Sequence, residues 1–266
     1  MKNKIAIAGL GWLGKPLALQ LQHLGYEVKG SVTTVEKATE IQKSGIEAYA
    51  LELHEHGLIG EASLLLKDVT ALIVMIPPGL RRNTGANYVK KMSHLLEAIK
   101  DSGVPNCIFI SSTSVYSDAQ GHVTEKNIPI PENEAGRQVL QVEQLFYNAP
   151  FATTIVRFGG LLGGSRQPVR YLAGRENLSG GNAPINLIHR EDCIGILTEI
   201  VKQQAYGHIF NAVFPEHPTK QTYYSNKAIE LGLTPPQYTP DTQLQYKKVD
   251  SVNLGQVLGY SFTGEI

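Results

Sequence analysis

Two stretches of the chain carry residue types whose spacing suits ligand chemistry. The first is Gly9-Leu10-Gly11-Trp12-Leu13-Gly14, a G-x-G-x-x-G pattern that follows the apolar run Lys4–Ala8 and opens a segment of helical periodicity. In that setting each glycine has a task. Gly9 permits a tight turn, Gly11 lets backbone approach a pyrophosphate, and Gly14 lets helix and strand pack closely. The free N–H groups of the helix start then face the phosphates, so the pattern predicts a dinucleotide site walled by Trp12 and Leu13. A strand-to-helix turn without ligand is the plainer alternative, as packing is for Trp12.

The end of the second strand selects the dinucleotide, because an acid there would bind the ribose 2′-OH and repel a 2′-phosphate. The text is Lys29-Gly30-Ser31-Val32-Thr33-Thr34, with no acid. Ser31, Thr33 and Thr34 offer hydroxyls and Lys37 lies one helical turn further on, so NADP is expected in preference to NAD. The second chemical stretch is Ser111-Ser112-Thr113-Ser114-Val115-Tyr116, a run of hydroxyls at the end of the strand Cys107–Ser111. A serine or threonine there can hydrogen-bond a substrate hydroxyl or carbonyl while a nicotinamide takes or gives hydride.

The elements that must position these groups follow from the apolar pattern. Short runs rich in Ile and Val alternate with segments of helical period, which predicts βαβ units and a parallel sheet. Buried strands are expected at Lys4–Ala8, Glu27–Val32, Glu47–Leu51, Ala71–Ile76, Cys107–Ser111, Ala152–Arg157 and His208–Val213. Helices are expected at Lys15–Leu24, Val35–Lys43, Tyr88–Asp101, Glu134–Tyr147 and Glu191–Gln203, three of them ended by Gly25, Gly45 and Gly103. The predicted fold is α/β, a Rossmann-type doubly wound parallel sheet with a small C-terminal lobe. It is read as one domain over 1–266, with the core in 1–158 and a mixed remainder in 159–266.

Composition narrows the partners. Lys plus Arg and Asp plus Glu both number 24 in 266 residues, which removes the electrostatic case for nucleic acid or an anionic membrane. The two cysteines, Cys107 and Cys193, have no metal or redox spacing and read as packing residues. The glycine-broken N-terminus is too short for a signal or a span, and a cytoplasmic protein is expected. The Asn177-Leu178-Ser179 sequon is then a chance match.

The pieces GLGWLG, ISSTSVY, VRFGGLLGG, INLIHREDC and HIFNAVFPEH span nearly the whole chain. Together they resemble the short-chain dehydrogenase/reductase superfamily, in its extended branch of nucleotide-sugar epimerases and dehydratases. The resemblance implies that Ser112, four residues before Tyr116, polarises the substrate oxygen, with Thr113 as its neighbouring candidate. It implies that Pro77-Pro78-Gly79 lines the nicotinamide side of the cleft. It also implies a tyrosine proton donor followed four residues later by a lysine. Laying Glu143 on the family's glutamate puts Ala135 at the tyrosine and Val139 at the lysine, so the chain is expected to lack that pair altogether. It therefore resembles atypical extended members. Extended members more often write G-x-x-G-x-x-G; the G-L-G-x-x-G seen here also resembles β-hydroxyacid dehydrogenases, whose helical second half does not suit the later strands.

Other polar residues complete the inventory. Arg157 ends a strand beside Gly159, Gly160, Gly163 and Gly164 and is a candidate for a substrate phosphate, or else a clamp on the following loop. Arg166 and Arg170 are candidates for a diphosphate. His189 is a further substrate-binding candidate, although its segment with Arg190 and Asp192 reads better as scaffold. Arg81-Arg82 read as a solvated loop, Tyr223 and Tyr224 as lobe packing, and His54, His56 and Glu52 as exposed groups; no metal is assigned. The functional expectation is an NAD(P)-dependent epimerase-, dehydratase- or reductase-like protein acting on a nucleotide-linked or phosphorylated small molecule, with a second copy of the chain as a partner. A non-catalytic NADP(H) sensor or interaction protein is the alternative.

Overall fold

The computed structural model describes residues 3–79, 87–240 and 243–266; Arg81 and Arg82 lie outside them. The chain runs β1 (Lys4–Ala8), α1 (Gly14–His23), β2 (Glu27–Val32), α2 (Val35–Gln42), β3 (Glu47–His54), β4 (Gly57–Gly60), α3 (Ala62–Leu66) and β5 (Ala71–Val74). It continues through α4 (Tyr88–Ser102), β6 (Asn106–Ser112), β7 (Gly121–Val123), α5 (Glu134–Tyr147), β8 (Ala152–Phe158), β9 (Gly160–Leu162), α6 (Val169–Leu172) and β10 (Leu187–His189). The last elements are α7 (Arg190–Gln203), β11 (Ile209–Ala212), α8 (Lys220–Glu230), β12 (Lys247–Val249) and α9 (Asn253–Gln256).

Eight strands form the main sheet in the order β11-β8-β6-β5-β1-β2-β3-β4. All its pairings are parallel except β3 with β4. This is the expected doubly wound sheet, with its order reversal between β1 and β5. Side chains alternate across it: Ile5 and Ile7 of β1 join one apolar cluster with Leu17, Ala38 and Ile196, while Ala6 and Ala8 join the other with Met92, Leu95 and Phe146. α1, α2 and α7 thus cover one face, and α4 and α5 the other. With helices on both faces, a strand such as β1 is apolar from Ile5 to Ala8 rather than alternating.

Local chemistry sets the element ends. Thr34, Asn87 and Asn133 accept backbone N–H bonds at the starts of α2, α4 and α5. Gly103 ends α4 at φ 72, a left-handed conformation that costs glycine little. β2 carries a buried lysine, Lys29, whose Nζ donates to the carbonyls of Leu64 at 2.6 Å and Lys67 at 2.7 Å and so closes the end of α3. Burial lowers the Lys29 pKa, partly opposed by Glu47.

The sequence expectation missed the hairpin β3–β4, whose turn residues Glu55 and His56 carry no glycine signal. Glu55 there accepts the Asn87 N–H at 2.8 Å, and its carbonyl bonds the His94 ring at 3.0 Å. It also missed the two-stranded pairs β10–β9 and β12–β7 and the short helices α3, α6 and α9. Cys107 and Cys193 are free and buried. Among the described residues no helix is long and apolar enough to cross a membrane.

Candidate cofactor and substrate cleft

The glycine turn sits at the order reversal of the sheet, where open α/β folds leave a crevice beyond the strand ends. Gly9 has φ 112, and a Cβ there would stand 3.1 Å from the Met75 carbonyl oxygen. A Cβ on Gly14 would fall 2.1 Å from the Gly9 oxygen, so α1 can start against β1 only with glycine. At Gly11 a Cβ would meet nothing within 4 Å. The fold itself therefore needs two of the glycines, and the third borders open space. Trp12 Nε1 and Arg190 Nε are buried beside this space without hydrogen-bond partners. An open backbone turn at a helix start with donors to spare fits the diphosphate of a nicotinamide dinucleotide.

The turn is pinned to β2 by the Leu10 N–H, which donates to the Ser31 carbonyl at 2.7 Å. Of the hydroxyls expected to hold the ribose, Ser31 is 2% exposed and the Thr34 oxygen accepts the Lys37 N–H at 3.3 Å as the α2 cap. Thr33 is exposed, and its hydroxyl accepts from Lys37 Nζ at 3.3 Å. The pair Thr33–Lys37 is the polar group left outward at this strand end. Pro77 and Pro78 follow β5, which ends at Val74 rather than Ile76.

At the end of β6, Ser112 caps a short 3-10 turn over Thr113–Val115, accepting the Ser114 N–H at 3.1 Å and keeping its own proton free to donate. Thr113 borders a cavity of about 230 Å³ whose wall also includes Asp118, Asn186, Lys220, Tyr224 and Lys247. Lys247 Nζ donates to the Tyr116 carbonyl at 2.7 Å and pairs with Asp118 at 3.2 Å. Lys220, the first residue of α8, has no ion-pair partner among the described residues. The strand end, the β10 segment, α8 and β12 supply these groups, so no local spacing in the sequence reveals them. Tyr224, expected as packing, packs edge to face with Tyr223 at 5.0 Å and also lines the cavity.

Beneath this floor lies an ion pair. Arg157 Nη2 donates to Glu143 Oε2 at 2.6 Å and Nη1 to the Tyr116 hydroxyl at 2.7 Å, and Ser111 donates to the same carboxylate. The Arg157 and Glu143 side chains are 4% and 3% exposed. Burial would lower the Arg157 pKa, but Glu143 outweighs it and holds the guanidinium above its ordinary value. Arg157 is therefore buried in the protein's own ion pair rather than presented to a substrate phosphate; each of its three nitrogens donates to Glu143 or Tyr116, none to the loop that follows it. Tyr116 is 1% exposed, and its one hydroxyl proton lies between the Thr124 carbonyl at 3.1 Å and Asn211 Oδ1 at 3.2 Å, away from the cavity.

On α5 the positions aligned with the family's donor pair carry no acid or base. Val139 is 4% exposed within the apolar cluster, and Ala135 is half-buried one turn earlier. Gly136 stands between them because a Cβ there would fall 2.4 Å from the Ser114 carbonyl oxygen, which shows how closely α5 meets the β6 end. A Tyr-x-x-x-Lys spacing does occur elsewhere, at Tyr223 and Lys227, contrary to the expectation that the chain has none. It lies on α8, where Lys227 pairs with Glu230 at 3.0 Å and burial pushes Tyr223 up to about 12. Burial moves Tyr116 upward and Tyr224 to about 12 as well, so none of these phenols is tuned as an acid near neutrality.

His189 caps α7, its Nδ1 accepting the Glu191 N–H at 3.3 Å, and its ring packs against Gly163, outside the cavity wall. Its Nδ1 thus serves the start of the helix, as the scaffold reading of this segment expects. Asp192, fully buried, accepts from the N–H groups of Thr263 at 2.8 Å and Gly264 at 3.1 Å and from the Tyr260 hydroxyl at 3.0 Å. Arg166 does not line the cavity either; its guanidinium lies over the Trp12 ring, 4.6 Å from the centroid.

A family model described as NAD(P)H-binding matches residues 9–204. Protein YeeZ of Escherichia coli strain K12 is 35% identical over 264 residues, covering 98% of this chain and 96% of that one. Among solved structures, MoeE5 in complex with UDP-glucuronic acid and NAD superposes with a TM-score of 0.79 at 20% identity, over 98% of this chain and 95% of that one. UDP-glucuronic acid 4-epimerase from Bacillus cereus, in complex with UDP-glucuronic acid and NAD, gives 0.79 at 21% identity over 98% and 95%.

Proposed function

Because this chain belongs to the NAD(P)H-binding family and has the fold of the short-chain dehydrogenase/reductase epimerases, we propose that it binds NADP(H) in preference to NAD(H). Next to it the chain takes a nucleotide-linked or otherwise phosphorylated small molecule. The observation that carries this reading is the open space over Gly11 at the strand-order reversal, with the lysine-bearing cavity at the adjacent β6 end. When bound, the nicotinamide would supply hydride transfer. Gly9–Gly14 would hold the diphosphate, and Thr33 with Lys37 the 2′-phosphate. Lys220 and Lys247 would attract an anionic substrate, as the relatives' UDP-sugars are.

Ser112 and Thr113 would hydrogen-bond a substrate oxygen, but Ala135 and Val139 can neither give nor take a proton. General acid–base help is worth about 10²–10⁴-fold in rate. Turnover of sugar nucleotides or simple carbonyls is accordingly expected to be weak, with water as the proton source. The buried, apolar setting of Val139 favours a second reading, a protein that binds NADP(H) and its anionic ligand without turnover.

Calorimetric titration with NADPH and NADH tests the cofactor assignment. NADPH is expected to bind more tightly, and Lys37→Met to erase that preference while leaving NADH affinity unchanged. Tighter binding of NADH by the wild type would overturn the assignment. Brisk reduction of such substrates, insensitive to Ser112→Ala, would overturn the account of the proton.

A further inference from the structure

Trp12, the chain's one tryptophan, lies inside the glycine turn and is attended by two arginines. The Arg166 guanidinium is 4.6 Å from its ring centroid and the Arg190 guanidinium 5.4 Å, both within cation–π reach. Neither arginine has an acidic partner among the described residues, although Glu191 is adjacent in sequence; Glu191 instead lies 3.7 Å from His189. Two like charges are thus gathered on one indole with no ion-pair partner for either among the described residues.

The arrangement is built into the backbone. Gly163 and Arg166 close a tight turn through reciprocal hydrogen bonds of 2.9 and 3.1 Å, which presents the Arg166 side chain toward Trp12. A Cβ on Gly163 would fall 2.5 Å from His189 Nε2, and one on Gly164 2.9 Å from Arg190 Nη1. The glycine pair therefore makes room for the two residues that start α7. Arg190 is held at that start, with its Nε buried and unpartnered.

We propose that Arg166 and Arg190, stacked on Trp12, form a cationic clamp on the diphosphate of the bound dinucleotide. This rests on the reading that the chain binds NADP(H). A guanidinium presents a planar fork of donors that matches phosphate oxygens, and stacking on an indole leaves those donors free at its edge. Topology separates this clamp from the 2′-phosphate position. Arg166 follows β9, which continues the chain out of β8, and Arg190 follows β10, which pairs with β9, whereas Thr33 and Lys37 follow β2 on the other side of β1 from β8. The anion within reach on the clamp's side is the one that lies over Gly11. A diphosphate could also come from a nucleotide-linked substrate, and the experiment distinguishes the two.

Arg166→Gln and Arg190→Gln are titrated with NADPH and, separately, with UDP-glucose, using calorimetry together with Trp12 fluorescence. Because Trp12 is the sole indole, energy transfer to a reduced nicotinamide reads the clamp itself. Each substitution is expected to weaken NADPH binding at least about tenfold and the pair to weaken it further, with UDP-glucose affinity unchanged. Arg166 is exposed, so Arg166→Gln is expected to keep the wild-type melting temperature. Unchanged NADPH affinity in both variants would overturn the clamp. So would weakened UDP-glucose binding, whether or not NADPH is affected. A wild-type protein that binds no dinucleotide would remove the underlying reading and the clamp with it.

Discussion

Gly11 and Gly14 belong to one motif but answer to different demands. Adding a side chain at Gly14 drives it into the Gly9 carbonyl, 2.1 Å away, whereas at Gly11 the same addition meets no protein atom within 4 Å. Gly14→Ala is therefore expected to destabilise the fold by about 1–3 kcal/mol, the range for forced overpacking. Gly11→Val is expected to stay within about 0.5 kcal/mol of the wild type, as surface substitutions do. Its isopropyl group would occupy the approach of the diphosphate, and NADPH affinity should fall at least about tenfold, or about 1.4 kcal/mol. Urea unfolding and NADPH titration of the two variants check both halves; a folded Gly11→Val protein with wild-type affinity would reduce the motif to a turn. Residue types made this turn legible in the sequence, because glycine spacing and strand context are local. Arg157 shows the limit. A strand-end arginine reads the same whether its partner is a ligand or a glutamate on the helix before it, and here Glu143 decides.

The elements around that arginine form one structural unit. β6, α5 and β8 meet through Ser111, Glu143 and Arg157, with Tyr116 bonded to the far side of the guanidinium. Removing one member of a buried pair strands the other charge in a low-dielectric setting, at about 3–5 kcal/mol, while replacing both with apolar residues is often nearly neutral. Arg157→Met should accordingly lower unfolding stability by about that amount, and Arg157→Met with Glu143→Leu should recover most of it. A double variant no more stable than the single one would mean that Glu143 is held chiefly by Ser111. The long elements of this unit were readable from the apolar pattern, since α5 repeats its apolar positions over several turns, β6 carries the apolar run Cys107–Ile110 and β8 the β-branched run from Thr153 to Val156. β7, β9, β10 and β12, at three residues each, are too short to display a period, and their pairing depends on partners far along the chain. They bring Asn186 and Lys247 to the cavity, which is why that half of the site was not legible.

On the scale of the whole molecule, carboxylates fasten the C-terminal segment; Glu125 holds Ser251 and Val252, and Asp192 and Asp250 hold the rest. Asp192 of α7 receives the N–H groups of Thr263 and Gly264, and Asp250, just after β12, receives His122, His217 and Lys248 from three sides. Burial alone would raise the Asp250 pKa. The hydrogen bond from His122 and the charge of Lys248 outweigh it, and the carboxyl is held below its ordinary 3.8. A carboxyl whose folded pKa is depressed stabilises the fold above its unfolded value and loses that contribution as pH falls through the folded value. The fastening should therefore be complete at neutral pH and weaken below 3.8. Asp250→Asn removes the charge at every pH, so its urea midpoint should lie below the wild type's at pH 7. The gap should narrow as both proteins are taken from neutral pH to below 3.8, because the wild-type carboxyl's stabilising contribution is lost as pH falls toward its depressed folded value. A gap that stays constant through that range would show that Asp250 acts by shape and hydrogen bonding alone. Since β12 carries Lys247 into the cavity wall, loosening this clasp also displaces a cation from the proposed substrate site. Binding of UDP-glucose should weaken in Asp250→Asn at pH 7, whereas NADPH, held on the far side of β6 by the glycine turn, should bind as it does to the wild type.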